Sequence, residues 1–442
     1  MAYVPHSEAD IRDMLATIGV ARVSDLFDAI PATVRSSTPL AVPPAMPEWS
    51  VVREITRLAQ RNSALVCFAG GGIYDHYAPS AVNHVLLRSE WYTAYTPYQP
   101  EVAQGSLQLI YEFQTMIAEL FGMDVANASM YDGATAAAEA VVLALGVQAQ
   151  RSAAAVATAV HPHTRQVVTT AIGADRVRTV PFTPAGRVDL TALGDALNGA
   201  ACCLVQQPNF FGVIEDLDAV AAATREAGAL LVVAADPVAM AVLKSPGSQG
   251  ADLVVGEGQG LGIAPSFGGP VVGLFAANQK YLRQMPGRLV GATVDRQGRR
   301  GFVLTLQARE QQIRREKATS NICTNQALLA LAATVHLALL GRDGLRHVAE
   351  RSLENAHRAF DAVTALPGFE PLVGGPFFKE FAVRTPKPAR TVLAHAASRG
   401  VLAGVALSRF PGLVDHEALL IAVTEKRSDE EIDRLVDALA TA

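Results

Sequence analysis

The sequence predicts an α/β protein with a mostly parallel central sheet and a smaller α+β region at its C-terminal end. Three observations carry that expectation. The chain has 442 residues, half of them hydrophobic and 18% charged, which is too long for one simple core and apolar enough to fill a large one. From Ala153 onward short apolar runs alternate with helical segments, and strands separated by helices imply parallel pairing with right-handed crossovers. From about Gly344 to Ala442 helices and short strands alternate on a smaller scale.

Composition narrows the function. A net charge of −5 argues against nucleic acid as the main partner, because binding phosphates needs a basic surface. The opening MAYVPHSEADIRDM has neither a basic start nor an apolar core, so no secretion signal is expected and the cytoplasm is the expected location. The most apolar long segment, residues 325–340, is shorter than a membrane span and includes Thr334 and His336, so it is expected to be a buried helix rather than a membrane anchor. The cysteines Cys67, Cys202, Cys203 and Cys323 form no C-x-x-C pair or other metal spacing, which points to reduced thiols and no metal site.

Taken in order, residues 7–30 read as two short helices, the first capped by Ser7 with Asp10 three residues on and the second stopped by Pro31. A proline-rich connector from Pro39 to Pro47 is held extended by proline's fixed φ, and a helix follows from about Glu48 to Arg61. Residues 1–60 are therefore expected to be an arm, 61–325 a large domain and 326–442 a small one. The glycines Gly70, Gly71 and Gly72 lack the G-x-G-x-x-G spacing of a dinucleotide site. His76 and His84 stand eight apart with no third ligand nearby, so zinc is not expected. Residues 88–101 hold Trp91, Tyr92, Tyr95 and Tyr98 together with Pro97, Pro100 and Glu101, a loop whose aromatics either pack on their own domain or wall a binding site. A long helix is expected over 105–122.

Residues 127–135 lead into an alanine-rich helix, and Gly133, Ala134 and Thr135 at its start offer free N–H groups and a positive dipole end. This is a reasonable phosphate cradle, or simply the start of a helix capped by Asp132. Strands are expected at 154–160, 166–170, 176–180, 201–205, 230–235 and 251–255, with an amphipathic helix over 215–228. Ligands sit beyond the carboxyl ends of such strands. There lie the loop 206–212 with Asn209, the pair Asp236-Pro237 and the glycine-rich loop 256–262, which should converge with Gly133. Beyond Pro270 the chain turns basic. Some of this is ordinary helix-surface pairing, as between Glu310 and Arg314, but Lys317 followed by Thr319, Ser320 and Asn321 can hold an anion.

The strand ending in Asp236 and the loop after 251–255 are similar to a pair found in pyridoxal-phosphate (PLP) enzymes of the aspartate-aminotransferase fold, type I. In those enzymes the first strand carries an aspartate for the pyridine nitrogen and the second precedes the Schiff-base lysine. Here the loop reads Gly256-Glu257-Gly258-Gln259-Gly260-Leu261-Gly262, with no lysine. Longer segments, among them GGGIYDHYAPSAV, RSEWYTAYTPYQPEVAQGSLQ, QQPNFFGVIED, GADLVVGEGQGLGIAPSFGGP and FVLTLQAREQQIRREKATSNICTNQALLAL, resemble the glycine cleavage system P-protein family, and within it the subunit 1 (α) type of its two-chain forms. The resemblance covers nearly the whole chain.

The resemblance implies a PLP-dependent-transferase fold, a lysine-bearing subunit 2 as partner, and an active site between the two. It places the lost Schiff-base position near Gln259 and Gly260. It gives Gly133, Ala134, Thr135, Asn209, Asp236 and Gln259 as a vestigial cofactor site, and Tyr95, Tyr98, Glu101, Lys317, Thr319, Ser320 and Asn321 as walls of the partner's site. No catalytic residue is expected in this chain alone. The implied activity is decarboxylation of glycine with PLP held covalently by the partner, and transfer of the aminomethyl group to the lipoyl arm of H-protein. A heterotetramer, a dimer of αβ pairs, is implied as well. The six lysines are Lys244, Lys280, Lys317, Lys379, Lys387 and Lys426. Lys244 is expected at the end of a helix following Asp236, facing away from the loop. Three rival readings stand beside this one: a self-sufficient PLP enzyme using an unexpected lysine, a purely structural subunit, and an anion-binding protein.

Overall fold

The computed structural model describes residues 5–36, 38 and 40–442, which divide into the units Met1–Ser63 and Ala64–Ala442. In the first unit the helix Glu8–Ile18 begins with a reciprocal cap: the Ser7 hydroxyl accepts from the Asp10 N–H while the Asp10 carboxylate accepts from the Ser7 N–H. Gly19 ends it in the left-handed conformation, at φ 87°. A 3-10 turn covers Val23–Phe27 and a second helix Glu48–Ala59. Residues 40–47 have no regular structure, and Pro39, where the connector was expected to begin, lies outside the described residues.

The second unit is built on seven strands: β1 (Val125–Ala126), β2 (Ala153–Ala157), β3 (Val177–Val180), β4 (Ala200–Gln207), β5 (Leu230–Ala235), β6 (Leu253–Glu257) and β7 (Gly273–Ala277). Their order across the sheet is β1-β7-β6-β5-β4-β2-β3, with β7 alone antiparallel to its neighbours. β4, β5 and β6 read as near-continuous apolar runs because helices cover both faces of a parallel sheet. The helix Gly133–Val147 packs on it through Ala136, Ala137, Ala140 and Ala144, all fully buried, and their small side chains let it approach closely.

Two expectations need correction. Residues 166–170 are not a strand but the middle of the helix Pro162–Ile172. Pro162 sits in its first turn, where a missing N–H costs nothing, and the His161 ring accepts from the His163 N–H; that start outweighs the strand preference of Val167, Val168, Thr169 and Thr170. The link from β5 to β6 holds no α-helix either. It consists of the 3-10 turns Ala239–Ala241 and Gly247–Gln249, because Pro246 and the glycines around it interrupt any longer helix. Lys244 lies between these turns, exposed, with its ammonium 3.7 Å from Asp218.

The segment expected to be a buried helix begins the long helix Ala327–Thr364, interrupted at Gly341, whose φ of 59° and ψ of −170° leave the helical region. By length and composition this helix could cross a membrane, but Leu329, Ala330, Ala332, Ala333 and Thr334 are buried in the core, and it packs on the helix Gln104–Phe121. After it comes a four-stranded antiparallel sheet, in the order Glu370–Pro371, Glu380–Arg384, Ala418–Ala422, Val405–Ala406. With the helices Ala389–Ser398 and Asp429–Ala440 it closes a second core around Phe381, Leu419, Ile421, Ile432 and Leu435. The strand Val66–Cys67 pairs in parallel with Val401–Leu402, so the loop carrying Tyr74 and His76 starts from this second core and runs toward the carboxyl edge of the large sheet.

Candidate functional site

The carboxyl ends of β2, β4, β5 and β6 and the start of the helix Gly133–Val147 surround one cavity of about 340 Å³. Gly71–Tyr74 and Phe378–Glu380 close its other side. Gly133, Ala134, Asn209, Asp236 and Gly260 all line it, so the three strand-end loops and the helix start meet in one place.

Its two ends have opposite electrostatics, each neutralised from within the chain. At the helix start, Glu257 from the end of β6 accepts the Gly133 N–H through Oε2 (3.0 Å), and the Gln259 and Val272 N–H groups through Oε1 (3.0 and 3.1 Å). A Cβ on residue 133 would stand 2.9 Å from the Glu257 nitrogen, so only glycine permits this approach. Asp132 takes the Thr135 N–H at 2.7 Å and its hydroxyl at 3.0 Å. Burial pushes the Glu257 carboxyl up to about 7 despite its three N–H donors, with the negative charge of Asp132 adding to the rise.

At the other end Asp236 accepts the Val238 N–H (2.9 Å) through Oδ1, and its Oδ2 lies 2.6 Å from the Lys379 ammonium. Lys379 is 2% exposed, which a lysine tolerates only when paired. Its Nζ also lies 2.8 Å from His76 Nε2 and 3.9 Å from the centre of the Tyr74 ring. His76 Nδ1 in turn stands 2.6 Å from Glu425. Burial and the neighbouring ammonium hold His76 below its ordinary value. The neutral ring therefore accepts from Lys379 at Nε2 and donates to Glu425 at Nδ1. Burial works to raise both partner acids and is outweighed: Lys379 holds Asp236 below its usual range, and two hydrogen bonds to Glu425, one from the His76 ring and one from the Tyr77 N–H, hold it at about 2. Beside this chain Glu380 accepts the Gly71 N–H at 2.6 Å and the Tyr74 hydroxyl at 2.9 Å, and burial lifts its carboxyl to about 7.

Of the remaining candidates only Asn209 lines the cavity. The Gln259 side chain turns away from the cavity and clamps the Tyr74 loop, accepting its N–H at 2.8 Å and donating to the carbonyls of Tyr74 and Ile263 at 3.0 and 2.6 Å. Asn209 spends its amide on its own turn, bonding Gly186, Phe211, Val213 and Glu215. Tyr95 and Tyr98 are 82% and 50% exposed, with the Arg288 guanidinium 5.7 Å from the Tyr98 ring centre. Glu101, Lys317, Thr319 and Asn321 are exposed and Ser320 half-buried; none of these seven lines the cavity.

Lys379, Glu380 and Glu257 were not among the expected site residues, and His76 was considered only as a zinc ligand. A signal for the first two was present: a charged pair between Phe377, Phe378 and Phe381 belongs to a strand too apolar to leave charges in water, so they need buried partners.

A mostly parallel seven-stranded sheet, with an acid at one strand end beside a helix N-terminus, defines the type I fold of PLP-dependent enzymes. A crystal structure of glycine decarboxylase (P-protein) of the glycine cleavage system, in inhibitor-bound form, matches the fold with a TM-score of 0.89 at 45% identity, each chain covering 100% of the other. Proteins described as probable glycine dehydrogenase (decarboxylating) subunit 1 are similar over 99% of both chains, at 49% identity in Carboxydothermus hydrogenoformans and 50% in Prosthecochloris aestuarii. The family model of the glycine cleavage system P-protein matches residues 1–439. The chain belongs to the glycine cleavage system P-protein family.

The fold family implies PLP, and the residues present in this chain do not fit it. The helix start is occupied by Glu257 and the strand-end aspartate by Lys379, and loop 256–262 offers no lysine.

Proposed function

We propose that this chain acts as subunit 1 of a glycine dehydrogenase (decarboxylating), completing the active site of a PLP-bearing subunit 2 rather than forming one of its own. The observation that carries this reading is the use of Lys379. The one lysine in the cavity among the described residues is bound to Asp236 at 2.6 Å, and the loop beyond β6 presents Gln259 where a lysine would be needed. A covalent cofactor enzyme needs a free amine within reach of the cavity, and of residues 258–262 it is Gly260, which has no side chain, that lines it.

In this reading PLP is held by the partner and supplies the electron sink for decarboxylation. This chain's residues orient and enclose. Tyr95, Tyr98 and Glu101 wall the partner's site from one side. The segment 317–321, with Lys317, Thr319, Ser320 and Asn321, binds the substrate carboxylate through a cation and hydroxyl and amide groups. Arg288 supports both: its guanidinium lies near Tyr98, and it donates to the Cys323 carbonyl at 2.6 Å, just beyond that segment. Closing the interface over glycine excludes water, and the aminomethyl group leaves on the lipoyl arm of H-protein. The working assembly is an αβ pair, doubled to a heterotetramer, in the cytoplasm.

Exchange of labelled bicarbonate into glycine tests this reading. It should occur with this chain, subunit 2 and H-protein together and with neither subunit alone; exchange by this chain without subunit 2 would overturn it.

A further inference from the structure

The cavity of this chain keeps the charge pattern of a cofactor site while filling it with its own side chains. A helix N-terminus presents N–H groups and a positive dipole end that call for an anion. Here the group that takes that place is Glu257, an anion above neutral pH, which reaches back from the end of β6 to accept the Gly133 N–H together with those of Gln259 and Val272. In PLP enzymes an acidic side chain partners the protonated pyridine nitrogen. Here the acid is Asp236 and its cation is the Lys379 ammonium, 2.6 Å away.

We propose that Glu257 and Lys379 are built-in replacements for the phosphate and the pyridinium, and that they close this chain's cavity to PLP and to other phosphate-bearing ligands. A phosphate dianion at the Gly133 N–H would stand against the Glu257 and Asp132 carboxylates, and like charges at that range in a buried site repel strongly. A pyridinium at Asp236 would have to displace a buried ammonium that also binds His76 at 2.8 Å and sits over Tyr74. The replacements act at opposite ends of the cavity, and they come from different parts of the chain: Glu257 from the large sheet, Lys379 from the position just before the strand Glu380–Arg384 of the C-terminal sheet. The consequence is a cofactor fold held together without cofactor. It rests on this chain's own cavity and stands whether or not the interface reading is right.

Equilibrium dialysis of the purified full chain at alkaline pH, with inorganic phosphate as the probe, tests it. The wild-type chain should show no saturable binding. Glu257→Ala removes the resident carboxylate and frees three N–H donors, and should show saturable phosphate binding at least about tenfold tighter than the weakest affinity the dialysis can detect. Lys379→Met leaves Glu257 in place and should gain nothing. If Glu257→Ala does not fold, Glu257→Gln, which keeps an acceptor and removes the charge, is read in the same way. Saturable phosphate or PLP binding by the wild-type cavity, or a folded Glu257 variant with no gain, would overturn the proposal.

Discussion

The Lys379 ammonium lies 2.6 Å from the Asp236 carboxylate, bridging the residue just before the strand Glu380–Arg384 to the residue just after β5. His76 and Glu425 extend the pair to four titratable side chains, and Glu425 also touches the Ser352 hydroxyl at 3.3 Å. Strand ends that would receive a ligand in a cofactor enzyme are here joined by the protein's own charges.

Breaking that pair should be costly. Lys379→Met leaves Asp236 buried without its cation, and should lower unfolding free energy by about 3–5 kcal/mol, the usual result of orphaning one member of a buried ion pair. Adding Asp236→Asn should restore part of the loss. Guanidinium unfolding of the single and double variants reads both effects, and a single variant as stable as wild type would contradict the geometry.

Glu380 gives the fold a pH dependence of definite sign. Burial raises its folded-state carboxyl to about 7, above the roughly 4.3 of an unfolded glutamate, so the folded state holds the proton more tightly. The stabilisation is fully present below the unfolded value and is lost as pH rises through the folded one. Glu380→Gln removes this titration. Between about pH 5 and about pH 8 the Tm of wild type should therefore fall relative to that of the variant, and parallel Tm curves would count against the assignment.

Thiol chemistry should single out one cysteine. Burial pushes the Cys203 thiol up to about 12 and raises Cys202 further, and Cys67 is half-buried with its thiol raised in the same direction. Cys323 is exposed. In the isolated folded chain a disulfide reagent should react quickly with Cys323, and Cys323→Ser should abolish the fast phase, while Cys202 and Cys203 react only on unfolding. A fast phase that survives Cys323→Ser would place a second reactive thiol at Cys67 or in the buried pair and contradict the assignment.

Tyr95 separates fold from function. With 82% of its surface exposed, Tyr95→Ala should change stability by less than about 0.5 kcal/mol. Bicarbonate exchange by the reconstituted pair with H-protein should nevertheless drop at least about tenfold if the ring walls the shared site. Unchanged exchange would remove Tyr95 from that wall.

The sheet was legible because β4, β5 and β6 are apolar runs of strand length punctuated by glycine, proline and aspartate. β1 and β7 escaped notice, one only two residues long and the other, Gly273–Ala277, following its neighbour as an antiparallel return without a helix between. The helix Pro162–Ile172 was hidden by its β-branched residues, whose strand preference gave way to a good N-terminal start. At the site, the strand ends announced Asp236 and Gly133 because their backbone roles are local. Lys379 is 143 positions beyond Asp236 in the sequence, and no periodicity links residues joined only by tertiary packing. The same distance made the loss of one lysine from loop 256–262 readable and the arrival of another in the same cavity unreadable.

Borohydride reduction of the assembled pair, followed by peptide mass spectrometry, tests the division of labour most directly. A reduced pyridoxyl group should be found on a lysine of the partner subunit and on none of the six lysines of this chain. A pyridoxyl group on Lys379, or in stoichiometric amount on any other lysine of this chain, would contradict the account.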